Sequence, residues 1–173
     1  MAVSLVPYTN APTTHLRRPH IAMSSPTIIE GLNGLLADST VFYQKLRHYH
    51  WNVDGRHFFE LHAKFEELYT RWAVSIDEIA ERILTVEGVP LHTLSAMLDA
   101  TSLDEDESIP AGRAMVDAIE GDLASLRETI IGIIDHAEDA HDRGTANLLD
   151  DLLDGIEKDR WMLRSWKKEA PAA

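Results

Sequence analysis

The amino-acid sequence predicts an all-α protein: a four-helix bundle with one long crossover between its second and third long helices, and a short extra helix inside that crossover. Three observations lead there. Apolar residues recur at three- and four-residue steps through four long segments, the spacing of amphipathic helices. No segment alternates apolar and polar residues as a half-buried strand does. The link between the second and third segments is much longer than the other two, which specifies a bundle with a crossover.

Residues 1–24 read as a flexible tail, with Pro7, Pro12 and Pro19, several Ser and Thr, no acidic residue, and His15, Arg17, Arg18 and His20 as its positive groups. The bundle is expected over 25–168. Ser25 reads as an N-cap and Pro26 as the first helical position. The first helix runs from Pro26 to about Val53 on the stripe Ile28, Ile29, Leu32, Leu35, Leu36, Phe42, Leu46 and Tyr49, and turns at Asp54 and Gly55. The second runs from Phe58 to about Glu87 on Leu61, Phe65, Leu68, Trp72, Ile76, Ile79 and Ile83, with Gly88 and Pro90 as its stop. In the crossover, Leu91, Leu94, Met97 and Leu98 are spaced like a short helix, and the acidic run from Leu103 to Ser108 reads as solvated loop. The third long helix begins after Pro110 and reaches about His141. The fourth opens at Gly144 or Thr145 and ends near Lys168, leaving 169–173 as a short C-terminal tail.

The chain has 173 residues, 45% hydrophobic and 26% charged, which suits one globular domain with a real core. It has no cysteine, so disulfides, thiolate zinc sites and iron–sulfur clusters are excluded, and a bound metal must use imidazole and carboxylate. The net charge of −13 repels nucleic acid and anionic membranes and attracts cations. No stretch approaches the roughly 18–20 apolar residues that span a bilayer. Pro7 directly follows Met1 to Val6, and Arg17 and Arg18 come after that segment, so no signal peptide is expected and the cytoplasm is the expected location.

His50, His62, Glu66, Asp77 and Glu81 form the candidate metal constellation. His50 lies near the end of the first helix and the other four lie on the second. At about 100° per residue those four fall at about 0°, 40°, 60° and 100°, on one side of the helix. His62/Glu66 and Asp77/Glu81 each have the i,i+4 spacing that lets two side chains reach one ion. Glu66 and Asp77 are nevertheless about 16 Å apart along the axis, against metal–ligand bonds of about 2 Å. One helix cannot close both pairs on one ion. A second copy running antiparallel can, with a two-fold axis near Arg71 and Trp72 and two equivalent sites per dimer. Singly, each residue has a plainer reading: a hydrogen-bonded histidine, or a carboxylate paired with Arg71 or Arg82. Larger di-iron proteins keep their site inside one bundle and use Glu-x-x-His on two helices. Here that pattern occurs at Glu138 and His141, and a second copy is absent.

The run His48-Tyr49-His50-Trp51-Asn52-Val53-Asp54-Gly55, then Phe58, Leu61-His62, Phe65-Glu66, Asp77-Glu78-Ile79-Ala80-Glu81-Arg82 and Gly88-Val89-Pro90, resembles the Dps family of mini-ferritins, over about residues 26–168. The resemblance implies a ferritin-like bundle in a hollow dodecameric homo-oligomer built from dimers. It implies di-iron ferroxidase sites at the dimer interfaces, with His50, His62 and Glu66 from one subunit and Asp77 and Glu81 from its neighbour. The family often has Asp where Glu66 stands. Its tryptophan beside the site, assigned to radical quenching, falls on Trp51. The implied chemistry is oxidation of Fe(II), preferably by hydrogen peroxide, and storage of ferric mineral, which protects the cell from oxidative damage. Glu67 is then a candidate for mineral nucleation, and Asp142, Asp150 and Asp154 for pores that admit iron. Some members compact DNA. The acidic charge argues against that here, with Arg17, Arg18, Lys167 and Lys168 as the mobile positive groups.

Overall fold

A computed structural model describes residues 26–168. These form α1 (Pro26–Asn52), α2 (Phe58–Thr85), α3 (Leu94–Ala100), α4 (Gly112–Asp139) and α5 (Arg143–Trp166), with no strand among the described residues. The expected tails over 1–24 and 169–173 and the Ser25 cap lie outside them.

The long helices stand where the apolar period put them, and their ends differ for local reasons. α2 stops at Thr85, short of Glu87, in a motif whose left-handed residue is Glu87 itself (φ 63°). Gly88 N–H donates to Ile83 O at 2.8 Å and Glu87 N–H to Leu84 O at 3.0 Å, which satisfies two terminal carbonyls. Gly88 is needed for space: a Cβ there would lie 2.9 Å from Cγ2 of both Ile29 and Ile83. α4 ends the same way, with His141 at φ 57° and the N–H of Asp142 donating to Ala137 O at 2.7 Å. Asp142 is also the N-cap of α5, accepting from Thr145 N–H at 3.1 Å, so α5 starts at Arg143, ahead of the expected Gly144.

α1 and α2 make one helical hairpin and α4 and α5 another. The contacts between hairpins set their direction. A Cβ on Gly31 would meet Ile133, Lys45 pairs with Asp122, and Gly112 lies against Leu61 and Val53, so α1 and α4 are antiparallel. Trp166 bonds Glu60, Lys64 pairs with Asp159 and Arg82 with Asp142, so α2 and α5 are antiparallel too. α2 and α4 therefore point the same way, which a short turn cannot achieve. The core fills the space between the hairpins. Phe42 meets Trp72 edge to face at 5.0 Å, and Tyr49 lies against Phe65 at 6.0 Å.

The crossover is held more firmly than a solvated loop. α3 packs on α1 through buried Met97. Buried Asp38 on α1 accepts hydrogen bonds from Thr101 Oγ1 (2.8 Å), Ser102 N–H (2.6 Å) and Ser102 Oγ (2.9 Å). Leu103 is buried. Asp106 accepts from the Tyr49 hydroxyl at 2.5 Å and from both the N–H and hydroxyl of Ser108. Asp104, Glu105 and Glu107 alone fit the expectation of a solvated acidic run.

The Ser108 and Tyr49 hydroxyls hold Asp106 at a pKa of about 2, below the ordinary value of 3.8. A carboxyl depressed on folding contributes stability that is complete above 3.8 and is lost as pH falls toward about 2. Amide exchange over 101–108 should therefore rise through that interval while α1 and α2 stay protected. Asp106→Asn should remove the pH-dependent step. The same transition in Asp106→Asn would contradict this assignment.

Candidate metal centre

The turn between α1 and α2 brings His50 and His62 face to face. Their ring centroids are 3.8 Å apart at 23°. Each Nδ1 lies 2.9 Å from the other residue's backbone carbonyl: His50 Nδ1 to His62 O, and His62 Nδ1 to His50 O. A carbonyl only accepts, so both Nδ1 atoms carry the proton and both Nε2 lone pairs are free for a metal. His50 lies in the last turn of α1, where a helix carbonyl has no partner within its own helix, so the His62 ring also closes that end.

Aromatic rings hold the imidazoles in place. Phe58 stacks on His62 at 5.0 Å and 28°, and Tyr69 meets His50 edge-on at 5.3 Å and 78°. One ligand atom from each of His50, His62 and Glu66 lies within 4.8 Å of the others. Two neutral imidazoles and a carboxylate within that reach suit a divalent first-row cation, iron(II) included. His50 is buried, His62 half-buried and Glu66 exposed, so the cluster opens to the outside of the subunit on the Glu66 side.

Asp77 and Glu81 lie on the same side of α2 and are exposed, apart from this cluster. Among the described residues neither forms an ion pair. Arg71 and Arg82, their candidate partners by sequence, are engaged by α5 instead: Arg71 by buried Asp159 and Arg82 by Asp142. Trp72, expected near a two-fold axis, is sealed in the core. At that height the ligand-bearing side presents exposed Thr70 and Ala73.

Trp51 is 57% exposed and lies under the Arg47 guanidinium at 4.8 Å, with no ring contact to His50 or His62 among the described residues. Glu67 pairs with Lys64 at 2.8 Å, and that contact holds its carboxyl below the ordinary value. Asp150 and Asp154 are exposed, whereas Asp142 is engaged as a cap and ion-pair partner. Glu138 and His141 are exposed and join no metal cluster among the described residues. Sequence reasoning gave Tyr69 no role; its signal was the i+3 step from Glu66.

A bundle of two hairpins with a long crossover, bearing a histidine–carboxylate cluster between its first and second helices, defines a ferritin-like protein. The ferritin-like domain model matches residues 29–171. The DNA protection during starvation protein of Brevibacillus brevis is 41% identical over 135 residues, covering 78% of this chain and 91% of that protein. DNA protection during starvation protein 2 of Bacillus anthracis is 40% identical, covering 80% and 95%. The crystal structure of the Dps protein of Vibrio cholerae O1, described as one of a broad superfamily of ferritin-like diiron-carboxylate proteins, superposes with a TM-score of 0.82 at 39% identity, covering 92% of this chain and all of that one. The chain belongs to the Dps family of mini-ferritins.

Because both Nδ1 atoms are committed to carbonyls, crystals soaked with Co(II) should show both imidazoles bound through Nε2. Ligation through Nδ1 of either ring would overturn the hydrogen-bond assignment.

Proposed function

We propose that this protein oxidises Fe(II) at a di-iron site completed by a second copy of itself and stores the ferric product inside a dodecameric shell. The carrying observation is the split of the ligand set. His50, His62 and Glu66 converge in one subunit, while Asp77 and Glu81, with no ion pair among the described residues, stand about 16 Å further along the same side of α2. A two-fold pairing of α2 helices sets each exposed pair beside the partner's histidine cluster. Thr70 and Ala73, between the pairs, are small enough for close approach. Exposed Phe59, Val89, Leu94, Ile109 and Trp161 are the apolar surface that further subunit contacts would cover.

Fe(II) is the substrate in this reading. Two Fe(II) ions each give one electron and hydrogen peroxide takes both: 2 Fe(II) + H2O2 + 2 H+ yields 2 Fe(III) + 2 H2O. Paired oxidation leaves no hydroxyl radical, which favours peroxide as oxidant and accounts for protection under stress. The carboxylates offset the rising metal charge, and the neutral imidazoles complete the coordination. The acidic surface concentrates cations, with Asp150 and Asp154 as candidates for the pores, Glu67 for mineral nucleation and Trp51 for radical quenching.

The relatives' names speak of DNA protection, and the charge here favours protection without DNA contact. Lys167 is already paired with Asp117 at 2.9 Å and with Glu120 at 3.6 Å, and Arg17 and Arg18 lie outside the described residues. Among the described residues no helix is long and apolar enough to cross a membrane. The cytoplasm is the proposed location.

Anaerobic Fe(II) titration followed by peroxide should show fast oxidation of about two Fe(II) per site in the wild type, with loss in His50→Ala/His62→Ala. Unchanged fast oxidation would remove the histidines from the mechanism. Asp77→Ala/Glu81→Ala should lose it too. Co-assembly of the two double variants should restore about a quarter of the wild-type rate, since random pairing makes about half the dimers mixed and each mixed dimer has one intact site of two. No restoration in assembled mixed protein would sink the shared site.

A further inference from the structure

We propose that the Tyr69 hydroxyl is a positioning group for Glu66: it holds one oxygen of this long carboxylate and leaves the other facing the His50/His62 pair. The inference rests on the reading of His50, His62 and Glu66 as a metal site.

Glu66 is exposed on α2 and flexible through its side-chain torsions. Placed freely, it would spend much of its time away from the imidazoles. Tyr69 supplies the constraint. It follows Glu66 by three residues, so the two side chains are neighbours on the helix surface. Its ring is fixed from two directions, edge-on to His50 at 5.3 Å and to Tyr43 at 6.2 Å. From that ring the hydroxyl donates to Glu66 Oε1 at 3.4 Å. This is a long hydrogen bond, of the kind that tightens when an ion draws the site together.

Only a protonated phenol can donate. A phenol ordinarily keeps its proton below about pH 10, so the hydroxyl is a donor to the carboxylate. With one oxygen tied to Tyr69, the other is the ligand atom. Chain length ties the arrangement to a glutamate at position 66. An aspartate at position 66 would end one methylene, about 1.5 Å, short of the hydroxyl. Tyr69 thus compensates for the extra methylene of Glu66.

The test is a double-variant cycle on the full-length assembled protein, titrated with Co(II) and read by ligand-field absorption. Tyr69→Phe keeps the ring against His50 and removes only the hydroxyl. It should weaken Co(II) binding by about tenfold and shift the ligand-field bands, the scale of losing an outer hydrogen bond to a metal ligand. In the Glu66→Asp background the same change should alter affinity less than about twofold. Equal losses in both backgrounds would mean that Tyr69 acts through packing on His50 and would overturn the proposal, as would no loss beside Glu66. Wild-type protein without a Co(II) spectrum that depends on His50 would overturn the metal-site reading itself, and the proposal with it.

Discussion

The exchange of hydrogen bonds between His50 and His62 ties the end of α1 to the start of α2, and much of the molecule follows from it. Each imidazole satisfies a backbone carbonyl of the other helix. The same bonds fix the tautomers and leave both Nε2 atoms free. A metal site built from flexible side chains must be ordered when the ion arrives, at a cost in entropy. Here folding orders both candidate ligands, because the bonds that position the imidazoles also close a helix end.

Charge is distributed with the same economy. Positive side chains on and around α2 are consumed inside the subunit: Lys64 and Arg71 by buried Asp159, Arg82 by Asp142, Lys45 on α1 by Asp122. Burial pushes the Asp122 carboxyl up, and the Lys45 ammonium offsets that only in part. These pairs bind one hairpin to the other. They also leave Asp77 and Glu81 without a cation among the described residues, so the outward side of α2 keeps its negative charge.

The helices were legible in the sequence because burial repeats with the helical period, and the ligand phases on α2 were legible for the same reason. Their ends were less so. At both Glu87 and His141 a residue with a side chain takes the left-handed position that sequence habit gives to glycine, while Gly88 serves close packing. The acidic crossover misled by composition: Asp106 and Leu103 are anchors within a run that looks solvated, and both Tyr49, which bonds Asp106, and Asp38, which holds Thr101 and Ser102, lie far away in sequence. Contacts between residues distant in sequence leave no periodic trace. For Tyr69 the i+3 step from Glu66 is in the sequence, but the ring contacts with His50 and Tyr43 that fix it are not. Which residues are candidate ligands was readable from type and spacing; what orients the histidines needed the fold.

Arg82 gives α2 a second anchorage. Twenty residues and about 30 Å from His62, its guanidinium is held by Asp142 and bonded to Thr145, at the very start of α5. α2 is thus a beam tied to α1 at His62 and to α5 along its length, at Glu60, Lys64, Arg71 and Arg82. A beam of fixed length serves as a ruler. Whatever docks alongside must match its graduations, so the protein, more than the ion, dictates the gap that a cation would have to fill.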